Sequence, residues 1–326
     1  MEERSPADDI IAEQTTALDN LMAYYGDLHR ADLVCLDPDD YFDRQLDLKP
    51  FKEPKDKSKR QASKDAGVTL LLQLHSVFSK EAKARLAERT AKADALQREY
   101  SEAHARNVEE ERTFYQRQQE RHNQQVGARR HSFLIGNPEE VMAYFDQVLS
   151  SDSFTLELDP NRQGRRYESC TESLEYDPDK KELVVRYRIP DLGEICTIGS
   201  FVDNKKEQTV EAKELPAKKA GELRKHVLHA ILIRASAEVF YSDPFGLVSR
   251  LVIVGFLDFY DPAYGTRRVI DAIKTAVPEK EFCQVDLGRA DPEALFDRLF
   301  TKTIAAGLYK KESYQLKAIK DPKETS

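Results

Sequence analysis

Residues 248–268, VSRLVIVGFLDFYDPAYGTRR, limit what this chain can fold into more than any other stretch. Leu251, Val252, Ile253, Val254, Gly255, Phe256 and Leu257 make a β-branched and aromatic run too short for an ordinary helix, so it reads as a strand with both faces covered. Glycine weakens a strand, and Gly255 therefore marks a bulge or a place where another backbone or side chain comes close. The following Asp261-Pro262-Ala263-Tyr264-Gly265 offers Pro for a second turn position and Gly for a positive φ, which predicts a hairpin returning over 266–277.

Such a hairpin needs a core around it, and 326 residues with 40% hydrophobic content, 15 Phe and 14 Tyr can supply one. The charged fraction of 33% exceeds what a compact core needs and points to a long solvated helix rather than a second compact domain. A net charge of −8 argues against a surface that grips nucleic acid throughout, though a local patch could still do so. Cys35, Cys170, Cys196 and Cys283 are widely spaced with no CxxC pair, which disfavours a zinc ribbon or a disulfide framework and leads us to expect reduced thiols in the cytoplasm. The longest apolar run near the front, 68–74, is far short of a membrane span, so no membrane partner is expected.

Taken in order, Ile10, Ile11, Leu18, Leu21, Met22 and Tyr25 fall at helical spacing and predict an amphipathic helix over about 6–29. Residues 37–64 then pass from acidic to basic, with Pro50 and Pro54 opposing regular structure, and read as a linker or loosely held arm. Its cations Lys49, Lys52, Lys55, Lys57, Lys59, Arg60 and Lys64 could meet phosphates, but a flexible charged linker is the simpler reading. Residues 68–125 hold neither Gly nor Pro and predict a helix about 85 Å long. Its sparse seam of Leu86, Ala93, Leu96, Tyr100, Ala103 and Phe114 suits a coiled-coil dimer or a helical hairpin, with Gly127, Arg129, Arg130 and His131 closing it. A domain boundary is placed near Ile135.

Beyond it, Asn137-Pro138 with Glu140 predicts a capped helix carrying Val141, Met142, Tyr144, Phe145, Val148 and Leu149. A second hairpin is expected over 166–188 with its tip at Asp177-Pro178-Asp179-Lys180, and strands near 195–202 and 208–213 would extend the sheet. A helix over 216–240 places Leu223, Val227, Ala230, Ile231, Arg234, Ala235 and Glu238 along a mostly core-facing row. Val285 and Leu287 suggest a last strand, Asp291-Pro292 caps a last helix, and the tail past Tyr314 reads as frayed. The expected fold is α+β, an antiparallel meander sheet packed with helices behind a long charged, coiled-coil-like arm. Its parts are residues 1–64, an amino-terminal helix and linker; 65–134, the arm; 135–312, the α+β module; and 313–326, the tail.

Chemistry is harder to find. Glu211-x-Lys213 at the end of a strand matches half of a PD-(D/E)xK nuclease, in which two carboxylates hold a divalent cation beside the scissile phosphate. Asp203 is the nearest second acid, but Asn204-Lys205-Lys206 reads as a hairpin tip that aims it away, and Glu-x-Lys arises often by chance in so charged a chain. His226 and His229, three apart on a helix, could share a metal but lack a visible third ligand. Asp258 and Asp261 near the turn could bind a cation, but Asp261 before Pro is ordinary turn chemistry; no Cys or His sits in a recognisable nucleophile context, and no phosphate-cradling Gly loop is present. No catalytic, cofactor or metal residue is assigned on these grounds.

Over about 137–300 the chain resembles the region preceding the nuclease domain of bacterial Mrr-type restriction endonucleases. The resemblance rests on 141–149, on Tyr176-Asp177 with Leu183-Val184-Val185-Arg186-Tyr187-Arg188-Ile189-Pro190, on 240–245, on 252–265 with Gly255-Phe256 and Asp261-Pro262, and on Val285-Asp286-Leu287 with Asp291-Pro292. A charged, Gln- and Arg-rich helical stretch comes first in that family as well. The resemblance implies a separate nuclease domain after this region, so it carries no catalytic residue onto these positions. It implies instead a non-catalytic recognition or recruitment component of a restriction or antiphage-defence system, self-associating through the long helix and meeting a nuclease or other defence partner. A divalent-metal nuclease using Asp203, Glu211 and Lys213, or a coiled-coil scaffold, are the alternatives.

Overall fold

The computed structural model describes residues 6–46, 49–77, 79–156, 166–168, 171–207 and 209–319; Phe78, Cys170 and the tail beyond 319 lie outside them. The chain forms two compact units, one of residues 1–41 with 129–326 and one of residues 42–128. In chain order the helices are α1 (Pro6–Asp27), α2 (Pro38–Asp43), α3 (Ser58–Asp65), α4 (Leu70–His75), α5 (Lys80–Leu134), α6 (Pro138–Ser150), α7 (Ala217–Tyr241), α8 (Glu279–Phe282) and α9 (Pro292–Leu299). The strands are β1 (Ser153–Thr155), β2 (Arg166–Glu168), β3 (Thr171–Asp177), β4 (Glu182–Arg188), β5 (Ile198–Asn204), β6 (Thr209–Glu214), β7 (Arg250–Asp261), β8 (Thr266–Pro278) and β9 (Thr301–Ile304).

The larger unit is mixed α and β. Its main sheet runs β3-β4-β7-β8-β9, and every pair is antiparallel except β4 with β7, which are parallel. The expected antiparallel meander is therefore corrected to a mixed sheet. The cause is the connection: parallel neighbours need a crossover, and α7 supplies it between β4 and β7. The β5–β6 hairpin does not extend the sheet either but forms a separate two-stranded ladder against α1.

The hairpin of β7 and β8 behaves as its residues dictate. Leu251, Val252, Ile253, Phe256 and Leu257 are all buried, so both faces of β7 are covered. Gly255 is a close approach beside a bulge: a Cβ there would stand 2.5 Å from Ile273 Cγ2 and 3.0 Å from Ile189 Cγ2, and the register shift after it leaves Ala272 on β8 as the extra residue. At the turn, Gly265 has φ +62°, its N–H donates to Asp261 O at 2.8 Å, and Ala263 N donates to Asp261 Oδ1 at 2.9 Å. On β4, Leu183, Val185 and Tyr187 alternate inward as expected.

Asn137 caps α6, accepting from Glu139 N at 3.0 Å and Glu140 N at 3.4 Å, and Val141, Tyr144, Phe145, Val148 and Leu149 are buried. Glu140 does not reach back to complete a capping box; both of its oxygens accept from Arg129 Nε, at 2.9 and 3.0 Å. Several boundaries differ from the sequence reading. The single helix expected from residue 68 is broken, α4 ending at His75 and α5 starting only at Lys80. The helix expected to close at Gly127 runs on to Leu134 and ends at Gly136, whose φ of +78° suits a left-handed cap. Flanking helix formers absorb the roughly 1 kcal/mol that an interior Gly costs. The last strand is β9 rather than Val285 to Leu287, which lie in turns after α8, where Val285 N donates to Phe282 O at 3.0 Å. The tail past Tyr314 is anchored as far as it is described, with Leu316 buried and Ile319 N donating to Asp271 O at 2.9 Å.

In the smaller unit the segment expected to be a loose linker lies antiparallel along α5. His122 bonds to Gln45 O, Gln119 Nε2 donates to Leu46 O at 2.7 Å, and Tyr115 Oη donates to Lys49 O at 2.7 Å. Further along, Arg112 pairs with Glu53 at 3.4 Å, Tyr100 Oη donates to Asp65 Oδ2 at 3.0 Å, and Arg89 donates to Gly67 O at 2.8 Å. Ala62, Ala66 and Ala93 are buried, so the chain's own preceding segment covers part of the seam. Within α5 the buried residues are Ala93, Val108, Val126 and Phe133.

Candidate functional site

The register of β5 and β6 decides how the Glu-x-Lys motif can act. Val202 pairs with Glu211 and Ser200 with Lys213, while Asp203 pairs with Val210. Side chains alternate across a strand, so Asp203 stands on the opposite face from Glu211 and Lys213. All three are exposed, and Glu211 accepts from the Asn204 amide. The hairpin does not bring the three together.

The two histidines are separated in a similar way. His226 Nε2 lies 3.2 Å from Tyr25 O, and its Nδ1 is 4.0 Å from Glu293. His229 is buried, stacked on Phe296 with ring centroids 3.9 Å apart, and its Nε2 is 2.9 Å from Tyr309 Oη. Burial first, then the Lys225 charge, lowers the His229 imidazole to about 3, so it is neutral at physiological pH. Asp258 and Asp261 are each taken by an arginine: Arg267 Nε is 2.7 Å from Asp258, and Arg268 Nη1 is 2.9 Å from Asp261. Those bonds hold both carboxyls below the usual carboxylate range. Among the described residues no three or more His, Cys, Asp or Glu side chains group as metal ligands.

The row on α7 hides a charged knot. Arg234 is 1% exposed and grips Asp152 in a bidentate pair, Nε to Oδ2 at 2.8 Å and Nη2 to Oδ1 at 2.7 Å. Its remaining donors go to main-chain carbonyls after α1, with Leu28 O at 3.2 Å, Asp32 O at 2.9 Å and Ala31 O as well. Glu238, fully buried one turn on, accepts from Val34 N at 3.2 Å. Burial, then the Asp152 carboxylate, pushes Glu238 up to about 8. At neutral pH the knot is therefore one ion pair beside one neutral acid, which removes the cost of a second buried anion. Arg234 and Glu238 were visible as charges four apart in an apolar row, whereas Asp152, distant in sequence, gave no signal.

A cleft of about 700 Å³ opens between the β5–β6 hairpin and the start of α7. Ile195, Ile198, Leu215 and Ala220 form apolar wall, and Arg224 and Lys310 also line it. Arg224 Nε is shielded from solvent and has no hydrogen-bond partner. An unmet buried donor of this kind costs about 1–3 kcal/mol. The neighbouring Lys225 differs, lying 2.8 Å from Glu293 and 3.8 Å from Asp297. Sequence reading passed over Arg224 because its partners in the cleft are brought together only by the fold.

The smaller unit presents a different surface. Leu70, Leu71, Leu74 and Val77, on and just after α4, are 75%, 69%, 55% and 74% exposed, and Phe114 on α5 is 64% exposed. Thr69 caps α4 through Leu72 N at 3.3 Å, so the apolar residues sit on a formed turn of helix. The cations Lys49, Lys52, Lys55, Lys57, Lys59, Arg60 and Lys64 are all exposed. Among the described residues no helix is long and apolar enough to cross a membrane. No family model, curated protein or solved structure matches the chain.

Proposed function

We propose that the protein is a non-catalytic recognition or recruitment component of a bacterial restriction or antiphage-defence system, acting through protein–protein contacts. The observation that carries the reading is the exposed apolar set Leu70, Leu71, Leu74 and Val77 in the smaller unit. Scattered exposed apolar side chains are ordinary, but four within eight residues, on and just after one short capped helix, favour a protein partner. The resemblance to the region ahead of an Mrr-type nuclease domain supplies the class of partner, a nuclease or another defence effector. Phe114 is a separate exposed apolar side chain on α5, and coiled-coil self-association through that helix belongs to the same reading. A cytoplasmic setting and an α+β module that does the recognising complete it.

The test is the assembly state of the pure protein with and without its co-encoded neighbours. A self-associated species, or a complex that Leu71→Glu with Leu74→Glu dissolves, is the expected result. A monomer at micromolar concentration that binds no co-encoded protein would sink the proposal.

A further inference from the structure

We propose that the cleft between the β5–β6 hairpin and α7 binds a small organic anion. Arg224 and Lys310 would hold a carboxylate or phosphate head, and Ile195, Ile198 and Leu215 would receive an apolar body. The inference does not depend on the recruitment reading.

Three observations carry it. The first is size: about 700 Å³ lies within the range of small-molecule sites. The second is the charge balance of the lining. Glu194 is already engaged, accepting from Arg188 Nη2 at 2.6 Å and Asp191 N at 2.7 Å, and Glu214 accepts from Thr197 Oγ1 at 2.5 Å. Arg224 and Lys310 have no acidic partner among the described residues, and Arg224 Nε is buried and unmet. Glu214 has only the neutral Thr197 hydroxyl as partner among the described residues, so one carboxylate faces the two cations and the net unanswered charge of the lining is positive; a planar guanidinium beside an ammonium suits a carboxylate or phosphate.

The third is how the fold brings the cations together. Gly221, one helical turn before Arg224, lets the segment after β9 close on α7: a Cβ there would lie 3.4 Å from Tyr309 O and 3.6 Å from Lys310 Cγ. The Lys310 stem thus runs along the helix face from which Arg224 extends. In support, α7 opens at Pro216 without a side-chain cap, and Ala217 in its first turn lines the same cleft, so the positive end of the helix adds to the field.

The test uses the full chain and four probes: octyl phosphate, octanoate, inorganic phosphate and octylamine, followed by titration calorimetry. One or both octyl anions should bind, octylamine should not, and the preferred anion names the head group. Arg224→Gln should weaken binding about tenfold or more, the worth of one charge-assisted contact. Lys310 is exposed, so Lys310→Gln serves if the first variant fails to fold. Cys196 also lines the cleft, while Cys35 and Cys283 are exposed elsewhere, so mass-mapped alkylation reports location. Saturating ligand should slow alkylation of Cys196 and leave that of Cys35 and Cys283 unchanged. The proposal is overturned if no octyl anion binds at millimolar concentration, if octylamine or inorganic phosphate binds as tightly as octyl phosphate, if both variants bind like the wild type, or if Cys196 stays unprotected.

Discussion

Two long helices, α7 and α5, show what the same helix-forming residues do when their charges meet different surroundings. In α7, all fourteen residues from Val227 to Phe240 are buried, and the charges among them are answered by side chains and carbonyls from elsewhere in the fold. In α5, four of 55 residues are buried, and the helix is held by side chains reaching main-chain carbonyls of the segment laid along it. Buried charge must be paired to within an ångström or so, and exposed charge need not be paired at all. The difference predicts that damage to α7 is global and damage along residues 80–128 is local.

The sharpest way to break this comparison is Arg234→Met. It leaves the Asp152 carboxylate buried without its cation, and a loss of about 3–5 kcal/mol in urea unfolding is expected. A cost comparable to an exposed substitution would mean that the knot is not a determinant of the fold.

Next comes pH, because two buried titrating groups on α7, His229 and Glu238, act in opposite directions. The His229 imidazole is lowered to about 3, so the unfolded chain takes up a proton from about pH 6.5 downward that the folded chain refuses. This group alone should make stability fall on acidification at up to about 1.4 kcal/mol per pH unit, a loss that Glu238 offsets between about pH 6.5 and 4.5, and His229→Phe should flatten the fall. Glu238 is pushed up to about 8, so the folded chain keeps a proton that the unfolded chain loses above its ordinary 4.5. Its contribution is present below pH 4.5 and lost as pH rises through 8. Glu238→Gln should therefore exceed the wild type in stability at pH 8.5, with the advantage shrinking toward pH 5. Chemical unfolding across pH checks both limbs, and a wild type with no slope on either side would remove the argument.

Smaller effects belong to α5. Tyr115→Phe removes the bond to Lys49 O and should cost about 0.5–1.5 kcal/mol. Amide exchange should quicken over 49–67 and stay unchanged over 227–240; equal quickening in both would contradict the local character of the strap. Leu71→Glu with Leu74→Glu should change stability least, by about 0.5 kcal/mol or less per site, because both side chains are exposed. Their effect should appear in association.

Much of this was readable in the residues. Gly255, the Asp261-Pro262 turn, the Asn137 cap and the inward alternation of Leu183, Val185 and Tyr187 follow from local backbone and packing chemistry, and the structure has them. What failed was non-local. Nothing in β4 or β7 alone says that they pair in parallel across α7. Most of the straps from residues 45–67 to α5 end on carbonyls, which every residue carries, so they leave no trace in composition. Val285 and Leu287 read as a strand because a β-branched residue beside an apolar one also suits a packed turn. As for sites, Asp203, Glu211 and Lys213 lie close in sequence but on two faces of a hairpin, whereas Arg224 and Lys310 lie 86 positions apart and line one cleft.

The recruitment account is tested most directly by purifying the tagged protein from a bacterial host before and after phage challenge and identifying by mass spectrometry what comes with it. The wild type should bring down a nuclease or other defence effector, and the Leu71→Glu, Leu74→Glu variant, equally folded, should lose it. Self-association alone in both conditions, or the same effector on the variant, would contradict the account.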